Sequence, residues 1–248
     1  MPPPQDARPA EKPAPQPTDD RWTSELIPVF DVGLQAFNTW YCRPRLTKAD
    51  GSVVVDDVLL AEGMGERAVN EKTLAGNMMQ TITVAATHAR RLAHQDGDAT
   101  LIVPINGAAL TYKDIAGTFS SACRQLEADI RRMLVFEVTN VADTVRMSYL
   151  DDIAIILHLF CKAYIGRVTP KSQDFKIFAT CNYAGVSLPL MDKPWPADKV
   201  GPYLSAFVTR AQKSRLSAYV HGVGSPAIAE AATTAGAHFI DGVAVRPR

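Results

Sequence analysis

Residues Leu216–Arg248 read LSAYVHGVGSPAIAEAATTAGAHFIDGVAVRPR, and the order of residue types in this closing stretch decides the fold. Small and apolar residues run through Tyr219 and Val220 into His221-Gly222-Val223-Gly224. An alanine-rich segment follows and ends at Gly236, after which His238-Phe239-Ile240 leads into Asp241-Gly242. That is strand, turn, helix, strand. Ser225 stands at the helix N-cap, where its hydroxyl can accept an otherwise unpaired backbone N–H. Pro226 takes the first helical position, where its missing N–H costs nothing, and Gly236 supplies the left-handed stop. A β-α-β unit of this length needs a parallel sheet or barrel to join.

Upstream, the same pattern repeats. Leu26–Phe30 is expected as a first strand and Phe37–Arg45 as a second, paired with it across the turn Asp31–Ala36. A polar connection, Leu46–Asp57, holds a short strand at Val53–Val55. From Glu66 to about His94 apolar residues Leu74, Met78, Ile82, Ala86 and Ala89 recur at helical spacing. Strands are then expected at Thr100–Pro104, Met133–Val138, Ile165–Val168 and Ala184–Leu188. Helices at Tyr112–Arg131, Thr144–Tyr164, Ser172–Cys181 and Val200–Ser214 alternate with them. Short strands buried on both faces, repeated over most of the chain, favour an α/β barrel over an open sheet. No GxGxxG or GxxxxGK[ST] follows any of these strands, so the nucleotide-binding open sheets lose their usual signature.

Composition bounds the function. The 248 residues are 47% hydrophobic and 21% charged, enough for one domain with a full core. Acids and bases balance at 26 each, so no global field draws the protein to nucleic acid or to an anionic membrane, and direct nucleic-acid binding is not expected. Residues 1–21 carry seven of the seventeen prolines and one large apolar residue at most, which is the composition of a disordered tail; the domain is expected over residues 22–248. Cys42, Cys123, Cys161 and Cys181 show no CxxC pairing and are expected as buried thiols in a reducing compartment. No apolar run reaches the roughly 18 to 20 residues of a membrane span, and the amino-terminus lacks the apolar core of a signal peptide. A cytoplasmic protein with no membrane insertion is the expectation.

Five short motifs stand in a recognisable order. Pro28, Asp31 and Arg45 frame the first two strands; Val103–Leu110 reads VPINGAAL; Leu134–Thr139 reads LVFEVT; Gly222-Val223 opens the closing unit; Gly242, Arg246 and Pro247 end it. In this order and spacing the chain resembles the EAL domain of bacterial cyclic di-GMP signalling, a modified (β/α)8 TIM-like barrel whose active members hydrolyse cyclic di-GMP with two divalent cations. The resemblance covers nearly everything after residue 25.

The departures carry the functional expectation. In active members several carboxylates and amides at the strand ends converge on the metals, since two hard cations need many oxygen donors. Here Tyr41 stands for the signature Glu, Pro104 for the strand-end Asn, His221 for the Glu before the closing helix with Gly224 at the next acidic place, and Asp241 for the Gln. The family's Asp-Asp pair falls near Val168-Thr169-Pro170, and its site Lys corresponds most nearly to Ser187. Glu137 alone persists as the expected acid, with Asp241 as a further oxygen donor. The resemblance therefore implies a degenerate domain with no phosphodiesterase activity, no metal and no cofactor. Arg45 matches the residue that meets a ligand phosphate, a task suited to a bidentate guanidinium, or it is a surface ion-pair residue. Glu137, buried in a strand, is either a remnant pocket residue or the partner of a neighbouring Arg or amide. His221 is either acid, base or ligand, or a hydrogen-bonded structural histidine. Two function classes follow, with Arg45, Tyr41, Glu137, His221 and Asp241 as pocket candidates. One is a regulatory module that binds a protein partner such as a transcription or flagellar regulator, with a homo-dimer also open. The other is a receptor that holds cyclic di-GMP without turning it over. An unrelated barrel enzyme is a third, and Asn106, Glu137, His221 and Asp241 supply no acid-base pair for it at a known spacing.

Overall fold

A computed structural model describes residues 20–65, 69–95, 98–142, 144–169, 171–172, 174–190 and 195–246. Most of the expected tail, the Glu66 start of the first long helix, Pro170 and Pro247 lie outside the described residues.

The barrel closes through one antiparallel strand. Strand β1 (Arg21–Asp31) forms a hairpin with β2 (Ala36–Thr47), and the short β3 (Val53–Val55) hangs on the far end of β2. Parallel strands β4 (Thr100–Asn106), β5 (Leu134–Thr139), β6 (Ala163–Arg167), β7 (Gly185–Pro189), β8 (Ser217–His221) and β9 (Phe239–Asp241) continue from β2. β9 then pairs antiparallel with β1, which also pairs with β2, and the ring of eight strands is complete. The modified TIM-like barrel expected from the sequence is thus the fold.

Helices α1 (Asp56–Leu60), α2 (Glu71–Gln95), α3 (Lys113–Arg124), α4 (Ala128–Met133), α5 (Met147–Leu157), α6 (Lys176–Thr180), α7 (Ala197–Lys213) and α8 (Pro226–Thr234) connect the strands. The main core lies between strands and helices, where Leu101, Val103, Phe136, Phe119, Leu157 and Phe207 are buried. A second cluster fills the lower barrel interior: Ile27, Val29, Tyr41, Ile102, Val135, Ile165 and Tyr219. Because strand side chains alternate between faces, this inner row fixes what lies two residues further along each strand. Above Val135 comes Glu137, above Ile165 comes Arg167, and above Tyr219 comes His221.

The closing unit has the form its residues dictate. Ser225 Oγ accepts the Ile228 N–H at 3.3 Å, Pro226 opens α8, and Gly236 adopts φ +86°. Several boundaries differ from expectation. The helix expected over Tyr112–Arg131 is two, because Gln125 and Leu126 donate to Ala122 and Cys123 in tightened last-turn bonds that turn Leu126 inward. The helix expected over Thr144–Tyr164 ends at Leu157, since Tyr164 and Ile165 belong to β6. Helical and strand runs are both apolar there and no Pro separates them. α6 is only Lys176–Thr180 of the expected Ser172–Cys181, and β1 begins five residues before Leu26.

Gly242 closes the barrel's seam at φ +135°, and a Cβ there would meet the Val223 backbone N at 2.2 Å. Gly201, inside α7, has nothing within 4 Å of its would-be Cβ. Gly242→Ala should therefore cost about 2 kcal/mol or more, while Gly201→Ala should stabilise by about 0.5–1 kcal/mol. Chemical denaturation of the two variants checks this pair of opposite signs.

Candidate functional site

The upper interior of the barrel is polar and buried. Glu137 at the end of β5 has no exposed surface. Arg167 at the end of β6 donates to it twice, from Nε to Oε1 at 3.2 Å and from Nη2 to Oε2 at 2.5 Å. Ser187 on β7 donates its hydroxyl to Oε1 as well. His221 at the end of β8 approaches Oε1 through Nε2 at 3.2 Å, and its Nδ1 pairs with Asp241 Oδ2 at the end of β9. Asp241 Oδ1 accepts the Gly222 N–H at 3.0 Å, which ties the turn after β8 to β9. Consecutive strands thus deliver acid, base, hydroxyl, base and acid to one ring.

A cap sits over the ring. The hairpin and β3 deliver α1 to the barrel mouth, where Asn106 Nδ2 donates to the Leu60 carbonyl at 2.8 Å and Asn77 Nδ2 to that of Leu59 at 2.9 Å. Its first turn bears Asp56 and Asp57. Asp57 meets Arg167 Nη1 at 2.8 Å, and Asp56 meets Arg43 Nε at 2.9 Å and accepts from the Tyr41 hydroxyl at 3.0 Å. Tyr41 in turn accepts from Arg167 Nη2 at 2.7 Å. Asp56 is held at φ +48°, a left-handed conformation that a non-glycine residue adopts only when its surroundings impose it.

The charges set one another. Burial opposes ionisation of Glu137, yet Arg167 and His221 overcome it and hold its carboxyl well below the usual range. Burial would likewise drive His221 neutral, but Asp241 and Glu137 outweigh it and raise its pKa to about 10. His221 is therefore an imidazolium at neutral pH, with no free lone pair for a proton or a metal. Burial pushes the Tyr41 phenol up, so it stays protonated and donates.

The residues do not suit a pair of divalent cations. Both oxygens of Glu137 already face cationic or hydroxyl donors, and a metal would have to displace Arg167 or His221. Among the described residues no group of three or more His, Cys, Asp and Glu side chains is arranged to hold a metal ion. A cleft of about 220 Å³ remains at the mouth, lined by Tyr41, Arg43, Asp56, Asp57, Arg167 and His221 among others.

Of the residues singled out from sequence, Tyr41, Glu137, His221 and Asp241 converge here. Arg45 does not. It lies one strand step beyond Arg43, opposite Val55 of β3, and is exposed outside the cleft lining. Arg43 occupies the cleft instead. Sequence reading missed Arg167, Asp56 and Asp57. The signal for Arg167 was its parity: it is two residues after Ile165, on the strand next to the one that carries Glu137.

Removing Arg167 alone leaves a buried charge unbalanced, so Arg167→Met should cost about 3–5 kcal/mol, and adding Glu137→Leu should recover much of that loss. Urea denaturation of the single and double variants measures it. His221 also makes stability depend on pH. The folded state keeps a proton that the unfolded histidine releases near 6.5, so the contribution is complete below pH 6.5 and falls as pH rises toward 10. Between pH 6.5 and about 8.5, below the range in which the thiols of the unfolded chain titrate while burial holds their folded counterparts protonated, the wild type should lose stability steadily. His221→Gln should be flatter over the same interval.

No family model and no curated protein matches the sequence. Solved structures do. The PaMucR phosphodiesterase in complex with c-di-GMP aligns over 89% of this chain and 93% of its own, with a TM-score of 0.65 at 14% identity. The FimX EAL domain of Pseudomonas aeruginosa bound to c-di-GMP aligns over 91% and 90%, with a TM-score of 0.63 at 16% identity. The YkuI protein of Bacillus subtilis, with an EAL domain and in complex with c-di-GMP and calcium, aligns over 89% of this chain and 54% of its own, with a TM-score of 0.67 at 15% identity. With its antiparallel first strand and seven parallel successors, the chain has the EAL-type barrel fold.

Proposed function

We propose that this chain is a non-catalytic EAL-type module that acts in signalling by binding a regulatory protein. The observation that carries the reading is the complete engagement of Glu137 by Arg167, Ser187 and His221. Metal-assisted phosphodiester cleavage needs carboxylate oxygens free to bind cations and a metal-bound water as nucleophile. Here the charge that metals would supply at the strand ends comes from a guanidinium and an imidazolium. Neither can generate a hydroxide nucleophile at neutral pH.

Cleft size and charge separate the two binding readings. Sites for drug-sized ligands run to about 300–1,000 Å³, and this cleft offers about 220 Å³. A cyclic dinucleotide needs more room, and its phosphodiesters would face Asp56 and Asp57 at the mouth. Arg43 and Arg167, the cations that would receive them, are already paired with those carboxylates. The exposed apolar side chains of Val53, Val55 and Val58, on the segment over the mouth, suit contact with a protein.

Calorimetric titration with cyclic di-GMP, with and without Mg²⁺, should show no binding heat, and incubation with Mn²⁺ should yield no linear dinucleotide. Product that disappears in Glu137→Gln would overturn the non-catalytic reading. Binding without product, weakened by Arg43→Ala, would replace it with that of a receptor.

A further inference from the structure

Strand β1 has two edges, and only one is covered along its length. It pairs with β2 from Arg21↔Thr47 to Asp31↔Ala36, but with β9 only over Val29–Asp31. Among the described residues no strand lies against the outer edge of Arg21–Pro28. The direction of its backbone groups follows from one bond. The Val32 N–H donates to the His238 carbonyl, in register with the β9 ladder. Alternation back along β1 then aims the N–H and C=O groups of Leu26, Ser24 and Trp22 outward. The irregularity in the hairpin register does not disturb this phase, because Phe37 and Asn38 of β2 together oppose the single residue Phe30. Pro28 is next in phase and has no N–H, so it ends the run of outward donors. A groove of about 350 Å³ lies beside the edge, lined by Glu25–Pro28 and by Gly242, Val243 and Val245.

We propose that this edge pairs with the same edge of a second copy of the chain, antiparallel, about a twofold axis through Thr23. In that register Trp22 of one copy lies opposite Ser24 of the other, and their outward N–H and C=O groups exchange hydrogen bonds twice over. Arg21 of each copy lies opposite Glu25 of the other. Both are exposed, both sit on the same face of the strand, and both fall at non-hydrogen-bonded pairs, where facing side chains approach most closely. The charges select the register. A twofold axis through Glu25 would set Glu25 against itself, and an axis through Ser24 would set Arg21 against Ile27 and Glu25 against Thr23. Only the Thr23 axis satisfies both charges and makes the contact self-complementary, as a twofold interface requires. A short ladder buries less than the roughly 1,200 Å² of a stable interface, so the dimer is reversible and depends on concentration. The proposal stands apart from the functional reading above, since no residue of the strand-end ring takes part.

Sedimentation velocity of the full chain, from low to high micromolar, tests it. The wild type should show a reversible monomer–dimer equilibrium that weakens with salt. Arg21→Glu should weaken dimerisation by about tenfold or more, as two attractive pairs become repulsive. Glu25→Arg should do the same, and the double swap R21E/E25R should restore association. Glu25 also meets Arg43 of its own chain at 3.7 Å, so R21E is the cleaner single change, and circular dichroism and melting of every variant establish that the monomer is intact. A wild type that stays monomeric at high micromolar concentration would overturn the proposal. So would a dimer indifferent to R21E, or one that the double swap fails to restore.

Discussion

A carboxylate with no exposure to solvent at the centre of a barrel must be balanced by the protein itself, and here Arg167 balances Glu137. The cost of burying either charge alone is several kcal/mol, so the two strand ends cannot separate without a penalty comparable to a large share of a domain's stability. The same guanidinium reaches the Tyr41 hydroxyl and Asp57. It therefore joins the β5–β6 side of the ring to β2 and to the cap α1. His221 closes the other side, between Glu137 and Asp241. Interior apolar layers hold the barrel from below, while this charged ring fixes the relative position of the strand ends above.

The ring also explains why α1 lies where it does. Two acidic residues open that helix, which favours its amino-terminus in any setting. Their further role is to meet the cations left over by the ring: Glu137 and Tyr41 use three of the five N–H donors of Arg167 and leave Nη1, which meets Asp57, and Arg43 projects from β2 into the same cleft. Asn106 and Asn77 anchor the other end of the helix by its carbonyls. The result is a mouth narrowed from within, with Asp56 held in a conformation it would not adopt unaided.

Much of the fold was legible because the barrel's rules are local. Caps, left-handed glycines and the alternation of short apolar strands with helices identified the closing unit and most of the repeats. Boundaries failed where two apolar elements run together, as at Leu157 to Tyr164: the exposed Ile155 and Leu159 add apolar residues to the side opposite the buried Leu150, Ile153 and Leu157, which erases the period that distinguishes helix from strand. At the site, Tyr41, Glu137, His221 and Asp241 could be found because each stands on a strand in a motif position. Arg167 was hidden by burial on both faces of β6: its neighbours are buried too, so no alternation of polar and apolar residues marks its face, and only its parity with Ile165 does. Asp56 and Asp57 act across the barrel mouth, a long-range contact with no counterpart in local spacing. Arg45 and Arg43 lie two residues apart on the same face of β2; Arg45 falls where β3 pairs alongside and is exposed, while Arg43 lines the cleft.

On the function proposed above, Arg167 and His221 take the place of bound metal in neutralising the strand-end acids. Electron paramagnetic resonance of free Mn²⁺ during titration into the protein at neutral pH measures this directly. The Mn²⁺ signal should rise with added metal as it does in buffer, for the wild type and for Glu137→Gln alike. A saturable site in the wild type that Glu137→Gln removes would contradict it.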